Sequence, residues 1–301
     1  MQNLKKNIVT IGSFDGVHLG HQSVLEHINR LARAVNGYKI VVTFDPHPRK
    51  IVNGNHEIDL LTTTDEKIEL LKHYGIDEVV VVPFTKEFSN LTPYEYLEEF
   101  IYKKLKTNFL VIGFDHKFGK NRTGDIEFLK SHAQQFNLNI EEIPANTLEN
   151  IKISSTKIRN YMLNNEFENA IHLLGHPYNL TGKVILGNKL GRTIGFPTAN
   201  LEMLDTDKLI PSDGIYAATT IIDNKRYLGM LYIGNRPTIA NGLSKTIELN
   251  LIDFEGDLYY QKLKIDIHYF IRNDIKFENL EQLKSQIYKD KCQIIDKLSQ
   301  I

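Results

Sequence analysis

Four runs in the first 113 residues are apolar almost without interruption: 7–12, 38–44, 78–82 and 108–113. A strand with one wet face alternates apolar and polar residues. An unbroken apolar run is instead buried on both faces. Helical periodicity fills the intervals at 21–35, 64–74 and 93–106. Strands of this kind alternating with helices predict an α/β, Rossmann-like domain, a parallel sheet with helices on both faces. Ligands of such sheets bind at the carboxyl ends of the strands. Three polar segments fall there: 13–21 after the first run, Asp45-Pro-His-Pro48 after the second, and Asp115 to Arg122 after the fourth.

The first of these carries the most chemistry. Gly12-Ser-Phe-Asp-Gly-Val-His-Leu-Gly-His21 runs from a strand straight into a helix with Val24, Leu25, Ile28, Leu31, Ala32 and Val35 on one face. His18 and His21 therefore sit beside a helix N-terminus, where backbone N–H groups and the positive dipole end suit an anion. Glycines at 12, 16 and 20 allow tight bending and close approach of a ligand. The spacing points to a phosphate site with two titratable groups. Three further segments accompany it. Thr43-Phe-Asp-Pro-His-Pro48 stiffens a strand end. Residues 113–124 place Lys117, Lys120 and Arg122 among glycines. In Ile153-Ser-Ser-Thr-Lys-Ile-Arg159, Ser154 or Ser155 caps a helix with Lys157 and Arg159 in its first turns. Thr92 and Pro93 mark the start of the third helix, and Asn36-Gly37 the end of the first. Rival nucleotide motifs fail. Gly113 to Lys120 has five residues between its glycines where a P-loop has four, and Asn121 stands at the magnesium-binding Ser/Thr position. GxGxxG is absent, and Asp253-Phe-Glu-Gly256 is not a kinase DFG.

Near residue 175 the pattern changes. Leu174-Gly175-His176-Pro177-Tyr178 reads as a domain entry, giving domains 1–175 and 176–301. Short β-rich runs follow at 178–186, 215–222, 227–233, 245–254 and 258–270, with hairpin signals at Asp223-Asn224 and Glu255-Gly256-Asp257. Closely spaced strands without helices between them predict a small antiparallel β-barrel. A C-terminal helix over 279–298 would pack on it through Leu280, Leu283, Ile287, Ile294, Ile295 and Leu298. In the segment 182–201, Gly182, Gly187, Gly191 and Gly195 form either a phosphate cradle or an ordinary glycine-rich β-loop, and spacing alone does not choose. Thr198 and Asn200, behind Pro197, offer oxygen ligands of the type magnesium takes. Alternation sets Glu248 with Thr246 and Asn250, opposite Ile247, Leu249 and Leu251. On a solvated face Glu248 is only a surface carboxylate; lining a pocket, it is a general base.

Composition narrows the class. With 42% hydrophobic and 24% charged residues over 301 positions, the chain can bury two cores. A net charge of −1 lacks the basic surplus of a nucleic-acid binder. Cys292 is the only cysteine, which allows no internal disulfide and suits a cytoplasmic protein. No apolar run approaches membrane-spanning length, and the sequence suggests neither membrane nor nucleic-acid partners.

Together these segments resemble the bacterial bifunctional riboflavin kinase/FMN adenylyltransferases, the FAD synthetases. The resemblance runs from about residue 7 to 290. It is carried by GSFDGVHLGH at 12–21, TFDPHP at 43–48, the loop 113–125, ISSTKIR at 153–159, GRTIGFPTANL at 191–201, PSDGIYA at 211–217, IGNRPT at 233–238, Glu248, and IRNDIKF at 271–277. It implies a nucleotidyltransferase domain followed by a flavokinase barrel. It implies ATP as co-substrate with Mg2+, riboflavin, FMN and FAD as the other ligands, and a monomer or transient oligomer. It implies that His18 and His21 contact ATP phosphates and stabilise charge as pyrophosphate leaves, with Gly12, Phe14 and Asp15 in the same turn. Ser155, Thr156 and Arg159 would hold the triphosphate and Asp115 would help place the reactants. Gly187 and Arg192 would belong to the second nucleotide site. Thr198 and Asn200 would bind magnesium and ATP phosphates, Glu248 would take the proton of the ribityl 5′-hydroxyl, and Arg272 would lie near the flavin. The chain departs from the family at His176, where Arg is common, and at Tyr232, where a small polar residue is common. It departs also at Tyr260, in place of a turn glycine, and at His116, where an aromatic residue is frequent. Two other classes fit parts of the pattern: an adenylyltransferase whose barrel only binds flavin, and a non-enzymatic flavin-binding module. The set His18, His21, Thr198 and Glu248 exceeds what a binder needs.

Overall fold

A computed structural model describes residues 5–52, 58–113, 116–143, 153–187, 191, 194–237 and 243–300. The chain forms two compact units, Met1–Ser155 and Thr156–Ile301.

In the first unit, β1 (Lys6–Ile11), β2 (Gly37–Asp45), β3 (Glu78–Pro83), β4 (Phe109–Gly113) and β5 (Asn139–Ile143) form a sheet of order β3-β2-β1-β4-β5. Every neighbouring pair is parallel. Successive residues of the central strands feed opposite cores. Val9, Val42 and Ile112 join one cluster with Leu97 and Phe100, whereas Ile8, Val41 and Val111 join another with Leu25, Ile28 and Leu71. This is why the strand sequences are apolar without alternation. Helix α1 (Leu19–Val35) and helix α2 (Thr64–His73) supply the second cluster, and a helix opening at Pro93 supplies the first. That helix starts as expected, with a Thr92–Glu95 capping box, but continues as a π-helix over Tyr96–Lys104 instead of one α-helix to 106. The strand order reverses between β1 and β4. The crevice at that reversal lies outside their carboxyl ends, where the two-histidine turn leaves β1.

The second unit is a closed barrel of order β10-β7-β6-β11-β8-β9. Its strands are β6 (Tyr178–Ile185), β7 (Ala199–Met203), β8 (Gly214–Ile222), β9 (Lys225–Pro237), β10 (Leu243–Leu251) and β11 (Lys262–Arg272), all pairs antiparallel. The Asp223-Asn224 turn is a two-residue hairpin with both residues left-handed (φ 49° and 61°) between paired Ile222 and Lys225. The unit begins at 156, whereas the sequence places the domain boundary at 175/176. The intervening segment packs with the barrel: the Phe167 and Tyr216 rings meet at 5.0 Å, and the Ser212 N–H bonds the Met162 carbonyl at 3.0 Å. Past α3 (Ile126–His132), α4 (Ser155–Leu163) and α5 (Phe167–Leu174), α6 (Leu280–Leu298) closes the unit. Ile294 and Leu298 of α6 pack on Ile215, Ala217 and Met230, while Leu280 and Ile295, expected on the same face, are exposed. Asp290 of α6 is buried and takes a forked bond from Arg272, Nε at 3.0 Å and Nη2 at 2.7 Å. Removing one partner of such a pair costs about 3–5 kcal/mol. Among the described residues no helix is long and apolar enough to cross a membrane.

Candidate active sites

The turn after β1 is built by its own side chains and by the start of α2. His18 caps α1, its Nδ1 accepting the His21 N–H at 3.4 Å, and the two imidazoles stack with centroids 3.7 Å apart. Phe14 packs on His21 at 5.0 Å. Phe14 and Val17 both adopt left-handed backbone (φ 47° and 38°), a strained geometry that persists where the surroundings over-determine it. Asp15 is buried, and its Oδ1 accepts the N–H groups of Leu61 at 2.9 Å and Thr62 at 3.1 Å. The Gly16 N–H bonds the Thr62 hydroxyl at 3.0 Å, and the Gly12 N–H bonds the Val42 carbonyl at 3.1 Å. Ser155, first residue of α4, donates its hydroxyl to the Asp15 carbonyl at 2.9 Å. The ISSTKIR segment is thus anchored to the histidine turn at Ser155; Thr156 and Arg159 follow on α4 and count with the second unit.

Lys67 is the residue of this site that the sequence reading missed. It lies on α2, is 3% exposed, and donates from Nζ to the Thr43 hydroxyl at 3.3 Å. The Thr43 hydroxyl in turn donates to the Ser13 carbonyl at 3.0 Å. An ammonium thus braces the histidine turn from below. The available signal was the capping box Thr63-x-x-Glu66, which fixes where α2 begins and so which way Lys67 points. Burial pushes the Lys67 ammonium pKa down, opposed by the Asp15 and Asp45 carboxylates. Burial, then the charges of His18 and Lys67, hold the His21 imidazole well below its usual range. His21 Nδ1 is buried and, among the described residues, has no hydrogen-bond partner.

A stability consequence follows. The unfolded chain protonates His21 near pH 6.5, and the folded chain only at lower pH. Between those values the unfolded state binds more protons, so stability rises with pH. We expect the thermal midpoint of the first unit to fall as pH drops from 7 to 5, and His21→Asn to flatten that fall in scans across the same range.

Lys117 pairs with Asp125 at 2.9 Å, and Asp125 also caps α3 by accepting the Phe128 N–H at 3.0 Å. Asp115 lies outside the described residues, as does Arg192 of the second unit.

In the second unit, Thr198 donates its hydroxyl to Glu248 Oε2 at 2.9 Å. Glu248 is 9% exposed, so it is a largely buried carboxylate and not a solvated surface one. Asn250, two residues on and on the same face, bonds the Pro197 carbonyl at 2.8 Å and fixes the Phe196-Pro197 bend. Asn200 lies directly opposite Glu248 on β7. Its amide packs on Gly187 so closely that a methyl group there would overlap it, which explains the glycine. Thr198, Asn200 and Glu248 thus come together beside Gly187. A cavity of ≈ 280 Å³ borders Thr198, walled by Val184, Pro197, Leu251, Phe254 and Tyr259. Arg272 sits elsewhere in this unit, its guanidinium bonded to Asp290 and to the Asn273 carbonyl at 2.9 Å.

Comparison with known proteins adds to this geometry. The family described as FAD synthetase matches residues 1–157, and that described as riboflavin kinase matches 174–298. Relatives named bifunctional riboflavin kinase/FMN adenylyltransferase include one from Buchnera aphidicola, 36% identical over 96% of this chain and 95% of its own. Another, from Haemophilus influenzae, is 38% identical over 94% and 91%, and one from Escherichia coli K12 is 34% identical over 94% and 90%. A crystal structure described as a macrolide-efflux protein from Streptococcus pneumoniae superposes with a TM-score of 0.86 at 32% identity, over 97% of this chain and 94% of that one.

Proposed function

The chain belongs to the family of bifunctional riboflavin kinase/FMN adenylyltransferases, and we propose that its two sites divide that activity as follows. The second unit transfers the γ-phosphoryl group of ATP to the terminal hydroxyl of riboflavin, giving FMN and ADP. The first joins FMN to the adenylyl group of a second ATP, giving FAD and pyrophosphate.

Phosphoryl transfer asks for alignment, charge neutralisation and one proton acceptor. Glu248 is the acceptor: one carboxylate oxygen keeps the Thr198 bond and holds the group still while the other takes the riboflavin proton. Thr198 and Asn200 hold Mg2+ and the ATP phosphates. The donor set fits a small hard cation, because a hydroxyl, an amide oxygen and a carboxylate converge on one cradle. Among the described residues no cluster of three His, Cys, Asp or Glu side chains could hold a metal alone. When bound, Mg2+ neutralises charge on the phosphate oxygens.

Adenylyl transfer needs no strong base, since the FMN phosphate is already anionic. It needs donors aimed where charge builds on the leaving pyrophosphate. His18, His21 and the N-terminus of α1 supply them, and Ser155, Thr156 and Arg159 grip the triphosphate. Gly12 and Phe14 shape the turn, and Asp15 holds it against α2. Arg272 serves the flavin side by fixing α6. A cytosolic location belongs to this reading and accords with the single thiol, Cys292, which is exposed and unpaired.

The Thr198–Glu248 contact carries the proposal for the kinase step. Incubation with riboflavin, ATP and Mg2+ should release ADP and FMN first, then FAD and pyrophosphate. FAD from supplied FMN with no ADP from riboflavin would reduce the barrel to a flavin-binding module.

A further inference from the structure

The barrel register lines up one row of side chains across four further strand contacts. Asn200 pairs with Glu248, Glu248 with Tyr232, Tyr232 with Ile215, and Ile215 with Arg272. Directly paired residues share a face, so Asn200, Glu248, Tyr232 and Ile215 point to the same side, the side that Ile294 and Leu298 of α6 cover beyond Tyr232; a register shift between Phe270 and Arg272 interrupts the row at β11. Neighbouring strands are about 4.8 Å apart. Tyr232 is therefore one strand from Glu248, within reach of an alcohol whose reacting hydroxyl rests on that carboxylate and whose chain runs away from Asn200.

Tyr232 is held for that position. Its ring lies along β9 over Gly234, where a methyl group would overlap the phenol. Its hydroxyl donates to Asp274 Oδ2 at 3.0 Å. Burial, and then the carboxylates of Asp274, Asp213 and Glu248, push the phenol pKa up to about 12, so it stays a donor to Asp274 at neutral pH. The phenol oxygen and the exposed Asp274 carboxylate thus present acceptors to an incoming molecule. Carboxylates repel an anion and accept from donors, and in riboflavin, the acceptor of the kinase reading, the donors beside the reacting end are the hydroxyls of its chain.

We infer that Tyr232 and Asp274 read the hydroxyl groups of the acceptor's polyol chain and thereby set which alcohols the second unit phosphorylates. This rests on the kinase reading of Thr198 and Glu248.

The test compares riboflavin with an isoalloxazine carrying a 5-hydroxypentyl chain, which keeps the ring and the terminal hydroxyl and lacks those between. Wild type should favour riboflavin. Tyr232→Phe and, separately, Asp274→Ala should each lower kcat/KM for riboflavin roughly tenfold, mainly through KM, the scale of one hydrogen bond. Neither should change kcat/KM for the analogue, whose unaltered turnover reports an intact site. Equal losses on both substrates, or no loss on riboflavin, would overturn the inference. Wild type that phosphorylates neither alcohol would instead remove the kinase reading, and this inference with it.

Discussion

Glu248→Gln lowers riboflavin phosphorylation by roughly 100-fold or more, while FAD formation from supplied FMN and ATP stays within about twofold of wild type. Glutamine keeps the shape of the side chain, and its amide oxygen still accepts the Thr198 hydroxyl that now bonds Oε2 at 2.9 Å. The cradle around Asn200 and Gly187 is therefore expected to stand. What disappears is proton affinity, and a lost general base costs about 10²–10⁴ in rate. ADP release with riboflavin as acceptor measures the first quantity, and FAD from FMN the second. A kinase rate within about threefold of wild type would strip Glu248 of the role, because a base contributes far more than that. The effect should fall on kcat, since the proton moves only as the new bond forms. A Thr198→Val variant, by contrast, should also raise KM for ATP, since its hydroxyl is proposed to face the phosphates.

How much of this was legible beforehand differs from residue to residue. The central sheet was, because β1, β2 and β4 are buried on both faces and their sequences say so without context. Edge strand β5, Asn139-Ile-Glu-Glu-Ile143, was not: two charges in five residues erase the apolar run that marked its neighbours. Strand β7 was hidden for another reason. Its first residues, Ala199 and Asn200, belong to the segment read as a loop, and only pairing with β6 and β10 makes them a strand. Local sequence placed Glu248 on a polar face but could not say what covered that face; Thr198, fifty positions earlier, decides it. Asp15 shows the converse. It was grouped with the nucleotide-binding residues for its place in the turn, and its carboxylate meets the backbone of Leu61 and Thr62. Lys67 was invisible because a lysine in a helix reads as solvent-facing. The capping box fixes the start of α2, but only the tertiary fold brings Lys67 to the Thr43 hydroxyl of β2 and buries it.

His21→Ala should bring FAD formation down by at least ~10²–10³-fold, the scale of losing one donor aimed at developing charge, and leave FMN formation from riboflavin intact. The resting site explains why the loss should be large. Buried beside His18 and Lys67, the His21 imidazole carries no proton near neutrality. A bound triphosphate brings several negative charges to the same turn, which reverses the sign of the local field and favours the protonated ring. The imidazole is then poised to gain charge as pyrophosphate leaves, in a site where low dielectric strengthens that contact. Alanine removes both the donor and the ring that stacks on His18 at 3.7 Å, so His18 also loses its support. His21→Asn restores a donor without a titratable ring. It should recover part of the rate, with a flatter dependence on pH between 5 and 7 than wild type is expected to have. Measuring both half-reactions on each variant separates the sites. Loss of FMN formation together with FAD formation would mean that the two units do not work independently.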